Sequence, residues 1–172
     1  MRSSILLLIV IGTNALCWAA EGVARVEAGS LVPAGEPLPV GAVVPAGVAV
    51  SCAAAGPAAL RLQECTQSRL LLGADSRLTV QRDGRSLVVA ISAGTVQLEL
   101  HDRGPYRQIL LRGRAAEAVV TGTLLVGEVL PNDRDLFAVA EGAVVVRLRR
   151  EVAKALGHED DEGELHRRPH VL

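Results

Sequence analysis

The sequence predicts an all-β domain folded as a sandwich or jelly-roll-like roll, with a solenoid-like arrangement as its variant. Three observations carry that reading. Short apolar runs alternate with polar residues at period two, as half-buried strands do. The chain has 17 Gly and 8 Pro, which interrupt those runs at intervals of about eight to twelve residues. No stretch before Arg149 sustains the period of roughly 3.6 that marks a helix. A chain of 172 residues with 49% hydrophobic and 22% charged content is the size of one domain and can bury a core.

The elements follow in order. Val23 to Val26 alternates and ends at Gly29-Ser30. Leu38-Pro39-Val40-Gly41 and Val43-Val44-Pro45-Ala46-Gly47 are broken by prolines, which donate nothing to a ladder and so place these pieces at a sheet edge or in bends. Val48 to Cys52 and Ala58 to Leu62 flank Gly56-Pro57. Arg77 to Gln81, then Asp83-Gly84, then Leu87, Val89 and Ile91 read as a tight hairpin with a type I′ turn. Gly94 is expected to break that run before Val96 to Leu100 alternates again, and His101 to Pro105 turns. Further strands are expected at Gln108 to Leu111, Ala118 to Val120, Leu124 to Leu130, Phe137 to Val139 and Val144 to Val146. Arg149 to Leu156 suits a short helix ending at Gly157. The expected core is Leu60, Leu62, Leu78, Val80, Leu87, Val89, Ile91, Val96, Leu98, Leu125, Val139, Val144 and Val146.

Composition excludes several roles. A net charge of −1 creates no field toward nucleic acid or anionic lipid. One Trp, one Tyr and one Phe leave no stacking platform for bases or sugars. Residues 1–20 have the layout of a signal peptide: Arg2, an apolar run from Ile5 to Ile11, and Ala19-Ala20 at the expected cleavage point. The strict apolar run is shorter than the roughly 20 residues that span a bilayer. An uncleaved anchor and a lipid attachment at Cys17 are the competing readings. Export implies a periplasmic or secreted protein that is not an integral membrane protein once the leader is removed.

Removal of residues 1–20 leaves Cys52 and Cys65. An even number of cysteines in an exported chain favours a disulfide between them, and a bridge over that loop would contribute about 3 kcal/mol. Two separate buried thiols, or a metal or redox role, are the alternatives.

Chemistry-bearing constellations are sparse. His101 is the one histidine of the body, next to Asp102 in a Gly-Pro turn, so neither a Ser-His-Asp set nor a cupin-like histidine cluster is available. Asp75-Ser76 is followed by Arg77 where an aspartyl motif needs Gly, and Lys154 is the one lysine. His158, His166 and His170 with the acidic run Glu159 to Glu162 offer metal-ligating groups, but their irregular spacing without a rigid scaffold favours a solvated charged tail from His158 to Leu172. No catalytic, cofactor or metal residues are therefore expected, and no cofactor.

The second half resembles a known family. Val119-Val120-Thr121-Gly122-Thr123-Leu124-Leu125, a turn at Asn132-Asp133, and Phe137 to Val146 containing Val139-Ala140-Glu141-Gly142-Ala143-Val144 are similar to the later half of the FecR domain family. Gly22 to Val26, Val40-Gly41, Gly47, Leu71 to Leu78 and Ile91 to Val96 fit its earlier strands. Gly127 departs from it, standing where a second inward aliphatic residue is usual. Gly94, Gly122 and Gly142 lie between strand runs, where positive φ or close backbone approach is expected, and Thr123 is expected to hydrogen-bond local backbone.

The resemblance implies an extracytoplasmic, non-catalytic β-domain at residues 21–148, used for protein contacts, followed by a helix and charged tail at 149–172. The expected function is a protein-binding or scaffold module at the bacterial cell envelope, with a protein or envelope partner and no nucleic acid. The alternative is a regulator in extracytoplasmic signalling of the iron-uptake type. Since residues 1–20 read only as a leader, that regulator would work without the family's anti-sigma segment. An envelope enzyme is the third and least supported reading.

Overall fold

The computed structural model describes residues 22–33, 36–53, 56–132 and 134–156. The leader at 1–20, the helix stop at Gly157 and the histidine-bearing tail lie outside the described residues.

The strands are β1 Gly22–Ala28, β2 Leu31–Val32, β3 Val43–Pro45, β4 Ala49–Cys52, β5 Ala58–Leu62, β6 Arg69–Leu72 and β7 Arg77–Asp83. They continue as β8 Ser86–Glu99, β9 Gln108–Arg112, β10 Ala116–Val120, β11 Leu124–Val129, β12 Asp135–Glu141 and β13 Val144–Leu148, and helix α1 spans Arg150–Ala155. The all-β expectation holds, with one continuous sheet curled upon itself.

Strand β8 makes the curl. Its 14 residues belong to both layers. The first part, Ser86 to Ala93, lies between β7, antiparallel, and β9, parallel. The second part, Gly94 to Glu99, lies between β6 and β11, both antiparallel. One layer therefore runs β3-β1-β5-β6-β8-β11-β12, and the other β2-β4-β7-β8-β9-β10-β13. Leu87, Val89 and Ile91 point inward before the bend and Val96 and Leu98 after it, so the inward phase changes from odd to even positions across Gly94. A bend of this kind is how one strand serves two packed sheets.

Gly94 thus bends the run and does not break it, which corrects the expectation of two separate strands. Its φ is +73°, and a Cβ there would stand 2.6 Å from the Ser76 Oγ. That hydroxyl, fully buried, donates to the Thr95 carbonyl at 2.8 Å and accepts from the Thr95 N–H at 3.0 Å, tying the β6–β7 turn to the bend.

The β7–β8 hairpin forms as expected, with a different turn. Asp83 pairs with Ser86, so the central residues are Gly84 and Arg85. Only Gly84 has positive φ, which rules out type I′ and matches the Gly-first type II′ pattern. The proline expectation holds: Pro45 closes β3 at the edge of its layer.

Most of the expected core is buried: Leu60, Leu62, Leu78, Val80, Leu87, Val89, Ile91, Val96, Leu98 and Leu125. Val144 and Val146 are half-buried against it. Val139 is the exception at 41% exposed. It pairs with inward-facing Leu125, so its phase is right, but β12 is the last strand of its layer and covers one side only. An aspartate at position 139 would reach water and would not prevent folding.

The expected disulfide does not form: Cys52 and Cys65 are separate, buried thiols. The hairpin that would have joined them is absent, because β4 pairs with β2 and β7 while β5 pairs with β1 and β6. Cys52 ends β4 beside the start of β5, its thiol donating to the Gly56 carbonyl at 2.9 Å. Cys65 lies beyond the other end of β5, and each strand residue adds about 3.3 Å, well past the roughly 7 Å Cα limit of a bridge.

Thr123 also departs from expectation. Its backbone exchanges hydrogen bonds with Leu100, but its buried hydroxyl has no partner among the described residues.

Candidate functional site

The outer face of the first layer carries an unusual row. Cross-strand pairing sets Arg25 opposite Arg61, Arg61 opposite Arg69, and Arg69 opposite Glu99. Adjacent strands are about 4.8 Å apart, so three guanidinium stems leave neighbouring backbones in line. Like charges set directly opposite each other are destabilising. The fold contains the repulsion with two carboxylates. Arg61 Nε donates to Glu27 at 2.6 Å, and Arg69 pairs with Glu99, which also accepts from the Gln97 amide at 2.9 Å. The Arg69 guanidinium holds the Glu99 carboxyl below its usual range despite partial burial. Arg25 donates to the Gly41 carbonyl at 2.9 Å.

Two shallow, open clefts of about 340 and 320 Å³ flank Arg61. Arg25, Gln63 and Thr66 line the first, and Thr66, Arg69, Glu99 and His101 are among the residues lining the second. Thr66 stands between them at the β5–β6 turn. That turn is held from below by Ser68, whose buried hydroxyl donates to the Asp102 carbonyl at 2.9 Å and accepts from the His101 and Asp102 N–H groups. Asp102 in turn accepts from the Gln67 and Gly104 N–H groups. His101 is thus brought to the second cleft, while Asp102 lines neither cleft and is occupied in building the turn. Charge-bearing side chains over open clefts can grip a complementary surface; neither cleft encloses a small molecule.

Two further charged groups were not visible in the sequence. Across the outer face of the other layer, Glu117 lies opposite Arg112 on one side and Arg147 on the other, accepting from both at 2.8 and 2.7 Å. Burial raises the Glu117 carboxyl, and the two guanidiniums outweigh it and leave it below its usual range. At one end of the sandwich, Tyr106 donates to Glu64 and accepts from Arg82 Nε at 3.0 Å, while Arg82 also pairs with Glu64 at 3.2 Å. Burial, with the bond to Glu64, pushes the Tyr106 phenol up to about 12.

The thiols are chemically quiet. Burial, then Asp102 and Glu64, push Cys65 up to about 12, and burial also raises Cys52. A thiol this far from its thiolate is a poor nucleophile or ligand. Among the described residues no group of three or more His, Cys, Asp and Glu could hold a metal ion, and no helix is long and apolar enough to cross a membrane. Asp75 adopts positive φ in the β6–β7 turn, and Ser76 is buried in its staple, so this pair builds the bend.

Comparison with known proteins adds no relative: no family model, no curated protein and no solved structure matches the chain.

Proposed function

We propose that this chain is an exported, non-catalytic β-domain of FecR type that acts by binding a protein partner at the bacterial cell envelope. The observation that supports the reading best is the row Arg25–Arg61–Arg69 with its two open clefts. Stability alone disfavours three arginines in register on adjacent strands. Three guanidiniums face two glutamates, with Arg25 on the neutral Gly41 carbonyl, so the row keeps an excess positive charge for a partner carrying acidic side chains, and Arg61 and Arg69 retain side-chain exposures of 57% and 49% beside their glutamates. Arginine on a flat β-face is suited to such contacts, since its planar fork engages carboxylates in bidentate geometry. The order of strand and turn segments, from Gly22 to Leu148, supports the family reading, and the apolar leader supports export.

The test is co-purification from the native envelope after mild crosslinking. The wild type is expected to retain a discrete partner that Arg61→Glu and Arg69→Glu variants lose while keeping their β-type circular dichroism. Retention of the same proteins by wild type and variants, or of none by either, would refute the row as a binding surface.

A further inference from the structure

The ends of the two layers are not equally protected. Strand β2 has two residues and is bridged to Leu38. Strand β3 has three and ends in Pro45. Strand β13 carries Arg147. Short strands, prolines and charges are the usual guards of an exposed edge. Strand β12 has none of them between its termini: Leu136-Phe137-Ala138-Val139-Ala140 is an uncharged run, with Leu136 50% and Val139 41% exposed. Among the described residues β12 pairs only with β11.

The ladder phase of β12 follows from one bond. The Leu130 N–H donates to the Arg134 carbonyl at 2.9 Å, which makes that pair a hydrogen-bonded one. Hydrogen-bonded and non-hydrogen-bonded pairs alternate along an antiparallel ladder. Leu136 and Ala138, opposite Glu128 and Val126, therefore direct their backbone groups at β11. Phe137 and Val139 direct theirs at the open edge.

From this phase we infer that β12 is a self-pairing edge, which joins two copies of the chain through antiparallel β12–β12 contact about a two-fold axis at Ala138. In that register Phe137 exchanges both backbone bonds with Val139 of the second copy, and Val139 does so with the second copy's Phe137. Ala138 meets its own copy at a non-hydrogen-bonded position, where the chains approach most closely and a small side chain fits. On the inner face, half-buried Phe137 covers exposed Val139 of the second copy, an aromatic to β-branched pair of the kind that stabilises sheets. The sequence of the strand is thus complementary to itself in a register that its backbone phase permits and that centres the uncharged run Leu136 to Ala140 on the axis. Asp135 would face Glu141 of the second copy, which confines pairing to the uncharged centre. One short strand pair buries less than a permanent dimer needs, so the association is concentration-dependent.

Sedimentation equilibrium of the purified chain across a wide concentration range tests this. The wild type is expected to shift reversibly from monomer to dimer. Val139→Pro removes an N–H aimed at the open edge and no bond to β11, and is expected to weaken dimerisation roughly thirtyfold through two lost hydrogen bonds per dimer. Val139→Lys, which keeps the N–H and adds a charge, should weaken it as well, with circular dichroism unchanged. A wild type that stays monomeric at every concentration, or dimers that persist undiminished in both variants, would overturn the inference.

Discussion

Gly127 on β11 and Leu111 on β9 face each other across the two layers: a Cβ on Gly127 would stand 2.7 Å from the Leu111 Cδ2 and 3.0 Å from the Ile91 Cδ1. The missing side chain that set Gly127 apart in the sequence is supplied from the opposite layer. Its absence is what lets fully buried Leu111 reach the mid-plane. Gly127→Val is therefore expected to cost about 1–3 kcal/mol by overpacking. The double variant with Leu111→Ala should recover part of that loss relative to the sum of the single changes. Chemical denaturation of the four proteins measures it, and strict additivity would deny the contact.

The two thiols should behave as buried and independent. Unreduced, denatured protein without its leader is expected to give two titratable thiols, and the native protein none within minutes at neutral pH. Since burial raises Cys65 to about 12 from 9.0, its contribution to stability is complete below about pH 9 and is lost as pH rises toward 12. Absence of any thiol in the denatured, unreduced sample would contradict the separation of the two residues.

Glu117 sets an acid limit. Its carboxyl is held below the ordinary value, so its stabilising effect is present above that value and is lost as pH falls through it toward the lower folded-state one. Glu117→Gln is expected to lower stability at pH 7 by about 1–2 kcal/mol, since Arg112 and Arg147 lose a shared charged acceptor. Its melting temperature should then fall less steeply in acid than that of the wild type. Parallel melting curves from pH 7 downward would remove Glu117 from the account of acid sensitivity.

Thr123 offers a gain. Its buried hydroxyl lacks a partner among the described residues, and valine has the same shape without the hydroxyl. Thr123→Val is expected to stabilise by about 1 kcal/mol, seen as a rise of about 3 °C in melting temperature. A fall of that size would mean the hydroxyl is satisfied after all.

Alternation made much of the fold legible. Leu60 and Leu62, Leu78 and Val80, and Leu87, Val89 and Ile91 are each buried as their period-two pattern implies. What alternation cannot encode is where a layer ends. Val139 has the inward phase of Leu125 and is exposed because no strand lies beyond it. Nor does it encode which strands are neighbours. The parallel pairing of β9 with β8 connects segments separated by a long crossing, and the continuity of β8 depends on a staple from Ser76, 19 positions before Thr95. The cysteine pair misled for the same reason: its spacing suited a hairpin that the actual pairing of β4 and β5 excludes. The arginine row was hidden for a related reason. Arg61 could be placed on an outer face from its own strand, but its alignment with Arg25 and Arg69 exists only in the register between strands.

Site-specific photocrosslinking in the native envelope tests the proposed function most directly. A photoreactive side chain at Thr66, between the two clefts, is set against one at Gln81 on the outer face of the opposite layer. A discrete crosslinked partner from position 66 and none from position 81 is the result this account predicts. No product from position 66, or the same product from both positions, would contradict it.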